Sequence, residues 1–84
     1  MKLNPWRNFE PIVLVFENKK TLVRTAHEAA AVLIRDWPHE DGDEYRVAVR
    51  TCWEVIIGKV DAHELRYALL RAADEAGIAA IAAA

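Results

Sequence analysis

The sequence predicts an α+β domain, an N-terminal two-stranded antiparallel hairpin followed by three helices, ββααα. Three observations predict it. A helix-start pattern occurs three times, at Thr25-Ala26-His27-Glu28, Asp41-Gly42-Asp43-Glu44 and Asp61-Ala62-His63-Glu64. Each sets a capping residue three places before a glutamate, so that a side-chain oxygen takes a free backbone N–H and the glutamate reaches back to the cap. An apolar run at helical spacing follows each one. Ahead of the first lies a β-branched and aromatic run of strand length, Ile12-Val13-Leu14-Val15-Phe16.

Taken in order, residues 1–10 read as an irregular lead-in bracketed by Pro5 and Pro11. Residues 11–25 read as the hairpin. Its turn is Glu17-Asn18-Lys19-Lys20, where Asn18 tolerates a left-handed backbone but no glycine follows. Thr21-Leu22-Val23-Arg24-Thr25 is the return strand. Residues 26–77 hold the three helices. Helix one covers about 26–36, with Ala26, Ala30, Leu33 and Trp37 at helical spacing and Ala29, Val32 and Ile34 widening the apolar face. Pro38 disfavours the α conformation at Trp37 and stops it. Helix two covers about 43–57 and ends at Gly58. Helix three covers about 62–76 and ends at Gly77. Residues 78–84 form an Ala-rich tail. Ile78 suits the hydrophobic contact of a Schellman ending, whereas alanine's helix propensity would carry the helix onward, and the sequence leaves both open.

Helix two is apolar over most of its circumference. After its first turn the polar positions are Arg46, Arg50 and Glu54, with Thr51 beside them. Such a helix is covered on more than one side. Either it is sandwiched between the hairpin and the other helices, or part of it meets a second subunit. A lone two-stranded sheet also leaves both outer edges unpaired. Both features point to self-association.

At 84 residues and 54% hydrophobic content the chain makes one domain, 1–84, with a plausible core. Chains this small often gain stability by oligomerising. The lone Cys52 rules out an intrachain disulfide and a cysteine-based zinc site. The N-terminus lacks a signal-peptide pattern, and no segment reaches the roughly 18–20 apolar residues of a membrane span. A cytoplasmic protein with no membrane association is expected. Residues 1–25 carry five bases against two acids, and residues 26–50 six acids against three arginines. The net charge of −2 argues against nucleic acid as a partner.

The order of elements carries a resemblance. Val23-Arg24-Thr25 leads into Glu28-Ala29-Ala30, then Leu33 and Arg35-Asp36-Trp37-Pro38. Gly42, Tyr45, Arg50-Thr51-Cys52, Gly58, Arg66, Ala68, Ala72-Ala73 and Glu75-Ala76-Gly77-Ile78 follow. In order and spacing these residues resemble a family of small bacterial proteins, domain of unknown function 982, over roughly residues 11 to 78. Lys19-Lys20 in the turn and Asp43 after Gly42 depart from it. The resemblance implies a compact α+β domain in a bacterial cytoplasm and assigns no role to any residue.

Five groups are candidate sites. His39-Glu40-Asp41-Gly42-Asp43-Glu44 offers oxygen and nitrogen donors to a divalent cation, but lacks EF-hand spacing, and acids in a first helical turn complement the helix dipole without any ion. His27 and His63 occupy matching cap positions, where a histidine is either an exposed cap residue or a candidate switch or base. The chain has no serine, and Cys52 would need an exposed, electropositive setting to serve as a nucleophile. Trp6, Trp37 and Trp53 form an aromatic set that either packs the core or grips a ligand. Val49, Trp53 and Ile57 on helix two, Tyr67 and Leu70 on helix three and Val13 on the first strand are candidate interface residues. Arg24, Arg35, Arg50 and Arg66 form an anion site only if helix packing brings them together.

No catalytic residue, metal ligand or cofactor is assigned. The chain lacks a phosphate-binding glycine loop, a nucleophile–base pair and a metal triad. The reading is a small non-enzymatic domain that self-associates, as a dimer, and binds another protein. The alternative is a small-molecule or metal-binding domain with a pocket between hairpin and helices.

Overall fold

The central strand of the molecule is β1 (Asn8–Val15). It is flanked by β2 (Lys20–Thr25) and β3 (Ala79–Ala82) in an antiparallel sheet of order β2-β1-β3. The structure, a computed structural model, describes residues 8–82. The third strand corrects the expected two-stranded sheet, and it comes from the Ala-rich tail. Gly77, at φ 74°, turns the chain out of the preceding helix, and the Ile78 N–H donates to the Ala73 carbonyl oxygen at 2.8 Å. This is the Schellman ending, and it buries Ile78. Beyond it the backbone is extended and its N–H and C=O groups pair with β1, which outweighs the modest helix propensity of alanine.

The lead-in is corrected as well. Residues 8–10 belong to β1, and Phe9 is buried. Pro11 is accommodated because the β1–β2 register shifts between Asn8 and Ile12, so no ladder bond is asked of it. Trp6 lies outside the described residues.

The helices are α1 (Ala26–Arg35), α2 (Asp43–Ile56) and α3 (Ala62–Ala76). Two of the three expected caps form. Thr25 Oγ1 accepts from the Glu28 N–H at 3.1 Å, and Glu28 reaches back to the Arg24 N–H at 2.8 Å, one residue before the cap. Asp61 accepts from the His63 N–H at 3.1 Å. The third is corrected. The N-cap of α2 is Gly42, and its own side of the chain supplies no side-chain cap. Glu75 of α3 does this instead, accepting from the Glu44 N–H at 3.1 Å and the Tyr45 N–H at 3.2 Å. A Cβ at Gly42 would overlap the Glu75 carboxylate, so a residue without one lets the two segments close up.

In the layering, α1 packs on β2 and α3 on β1 and β3, while α2 packs on α1 and α3. Helix α2 is therefore an outer layer and is not sandwiched against the hairpin. The core comprises Ile12, Leu14 and Val23 from the sheet, Leu33 from α1, Leu65 and Leu69 from α3 and Val55 from α2, all fully buried. Side chains of this size stabilise by about 1.5–3 kcal/mol each when buried. Among the described residues no helix is long and apolar enough to cross a membrane.

An exposed apolar face on the outer helix

Because α2 is an outer layer, its apolar girdle divides in two. Ala48, Thr51, Cys52 and Val55 face inward and are buried. Thr51 sits there without penalty because its hydroxyl donates to the Val47 carbonyl oxygen at 2.7 Å. Val49 and Trp53, four residues apart, face outward, and Trp53 is 61% exposed. Ile57 is half-buried beside them. Across on α1, Ile34 is 69% exposed, which corrects its assignment to the core-facing side of helix one. It lies one residue past Leu33, about 100° around the helix and away from Ala26 and Ala29. Between the two helices runs a shallow groove lined by Ala30, Leu33, Ile34, Val49 and Cys52, with a volume of about 30 Å³. The face thus holds a large apolar knob, Trp53, one helical turn from a small apolar hole.

Cys52 forms part of the floor of this groove. Burial pushes its thiol up to about 12, so it is protonated and inert at neutral pH. His27 and His63 are both exposed, and Asp61 Oδ1 lies 3.4 Å from His63 Nδ1.

A second apolar row lies on the open face of the sheet. Val13 pairs with Leu22 on one side and Ile81 on the other, and Leu22 and Ile81 are exposed. Of the other candidate interface residues, Tyr67 is exposed on α3 and Leu70 is half-buried against the core.

A cleft of about 480 Å³ opens where the β1–β2 turn, the end of α1 and the α3–β3 turn meet. It is lined by Val15, Phe16, Asn18, Asp36 and Ile78 among others, and Lys19 holds Asp36 at 2.9 Å. Residues 39–44 and the described tryptophans are not in its lining. Trp37 is instead a core residue, edge-on to Phe16 with ring centroids 6.1 Å apart. Among the described residues no three His, Cys, Asp or Glu side chains cluster as a metal site would require. The arginines are dispersed: Arg24 pairs with Glu28, Arg66 donates to the Glu10 carbonyl oxygen, and Arg35 and Arg50 lie on different helices.

The family model described as a protein of unknown function, DUF982, matches residues 10–80. The chain belongs to this family. No curated protein and no solved structure matches the chain. The match runs from within β1 to the first two residues of β3, so the Glu75 contact with the start of α2 lies inside the family's domain. The face bearing Trp53 and Ile34 lies inside it too.

Proposed function

We propose that this DUF982 protein is a small non-enzymatic interaction domain of the bacterial cytoplasm that self-associates as a dimer and binds another protein. The observation that carries the reading is the apolar face of α2 and α1, where Trp53 and Ile34 are 61% and 69% exposed beside Val49. Contiguous exposed apolar surface of this kind marks an interaction site. Tryptophan is the residue type most enriched where interfaces concentrate their energy. The single thiol of the chain is buried and protonated, which speaks against nucleophilic catalysis through it. The net charge of −2 speaks against nucleic acid as the partner.

Molar mass in solution over a wide concentration range tests the reading. The expected result is a species of twice the chain mass that dissociates on dilution. A chain monomeric at hundreds of micromolar would refute it. The cleft of about 480 Å³ favours one second reading, a small-molecule site. Its polar lining is Glu17, Asn18 and Asp36, so its ligand would combine an apolar body with a basic group. Saturable ligand binding that Asp36→Asn abolishes would establish it.

A further inference from the structure

We infer that the cleft between the β1–β2 turn, the end of α1 and the α3–β3 turn binds a primary amine carried on an aromatic or aliphatic body, with Glu17 and Asp36 as the acceptors of its ammonium. The inference rests on the small-molecule reading of that cleft and names the ligand class. At about 480 Å³ the cleft falls within the range of small-molecule sites, about 300–1,000 Å³. Its apolar lining includes Val15, Phe16, Pro38 and Ile78. These walls are fixed by the fold. Phe16 stands edge-on to Trp37, and its N–H donates to the Lys19 carbonyl oxygen at 2.8 Å. Ile78 is held by the turn at Gly77. A hydrocarbon body suits such a lining.

The charge of the cleft selects the sign of its ligand. None of the residues lining it is basic, and two, Glu17 and Asp36, are acidic. Arg35 precedes Asp36 in sequence but does not line the cleft. Glu17 has no ion-pair partner among the described residues, whereas Asp36 Oδ1 lies 2.9 Å from Lys19 Nζ. Two carboxylates against one ammonium leave one negative charge, which a monoamine balances. The end of α3 adds to it. Ala76 and Gly77 bring the C-terminal end of that helix to the cleft, where the helix dipole is negative. A base in the last turn complements such an end, and α3 has none there. The Lys19 contact shows independently that Asp36 accepts an ammonium. It does so from the neighbouring groove, which Lys19 and Asp36 line together. A ligand amine therefore competes with a lysine of the chain for the same carboxylate. The lysine side of that pair is half exposed, and pairs of this kind contribute little, so the competition is weak.

Three probes with one aromatic body test the inference: phenethylammonium, phenethyl alcohol and hydrocinnamate, positive, neutral and negative at neutral pH. Each is titrated into the isotope-labelled full chain and followed by amide NMR shifts, which also confirm the fold of every variant. Phenethylammonium is expected to move the amides of Phe16, Asn18 and Gly77 saturably, with a Kd in the millimolar range that suits so small a ligand. The alcohol and the acid are expected to bind about tenfold more weakly or worse, as for the loss of a charge-assisted hydrogen bond. Glu17→Gln, at an exposed position, is expected to weaken amine binding by about twofold to fivefold, and Lys19→Met to tighten it by a similar factor. Alcohol or acid binding as tight as the amine's overturns the inference while the small-molecule reading stands. So does an amine affinity that neither Glu17→Gln nor Lys19→Met alters, or that Lys19→Met lowers. Shifts that spare the cleft amides, or no shifts with any of the three probes, overturn both.

Discussion

Glu75 makes the contact that ties the ends of two helices together, and it does so with both carboxylate oxygens. A helix leaves four N–H groups without partners at its start, and a side-chain acceptor there is worth about 1 kcal/mol. Glu75→Ala is therefore expected to lower unfolding free energy by about 1 kcal/mol in urea titrations. Gly42→Ala is expected to cost about as much, because its methyl group displaces the same carboxylate. The double variant should cost less than the two together, which a thermodynamic cycle would read directly. Glu28 provides a second test. The Arg24 guanidinium holds its carboxyl below the usual range, helped by the backbone N–H groups of Arg24 and Thr25. A carboxyl lowered in the folded state stabilises fully above its unfolded value of about 4.3 and loses that contribution as the pH falls through the folded value. The stability gap between wild type and Glu28→Gln should accordingly be constant near neutrality and shrink below about pH 4.3. The Thr25 and Asp61 caps are legible in sequence because donor and acceptor lie within three residues. The α2 cap is not, since its acceptor lies 31 residues along the chain from Glu44 and only packing brings it there.

At the scale of elements, helix positions follow from periodicity and from Gly77, whereas the sheet follows only in part. β1 and β2 declare themselves through β-branched residues joined by a short turn. β3 consists of Ala79-Ala80-Ile81-Ala82, in which Ile81 alone favours a strand, and its pairing partner lies more than sixty residues upstream. What makes it a strand is the open edge of β1 and the exit angle set by Gly77. That angle needs a positive φ, which costs an L-residue about 1 kcal/mol. A Cβ at Gly77 meets open space, so Gly77→Ala isolates this backbone cost from any clash. It is expected to destabilise by about 1 kcal/mol. Amide exchange at Val13 and Val15 should accelerate more than at Ile12 and Leu14 if β3 detaches locally while β2 stays paired, and a uniform acceleration would mean the sheet opens as one unit.

Over the whole molecule, the chain solves its size problem by stacking three layers, sheet, then α1 and α3, then α2. The middle layer is buried on both sides, which is why α3 contributes Leu65, Ala68, Leu69, Ala72 and Ala73 to the core. The outer helix is left with a face that none of the described residues covers. Its apolar character was readable from helical periodicity. Which half of it points outward was not, because that depends on where α1 and α3 sit. If the proposed dimer binds through that face, the midpoint of thermal unfolding should rise with protein concentration, and Trp53→Glu should abolish the dependence. The sheet's two edges meanwhile differ in kind. β2 exposes Lys20 and Arg24 along its length, whereas β3 is short, neutral and open. Charged edges repel added strands. Were copies to meet edge to edge, β3 could join only β3, and the resulting pair would present a guarded β2 at either end. Growth beyond two molecules would then have to add a strand to the edge that carries Lys20 and Arg24, where like charges on the incoming copy oppose it.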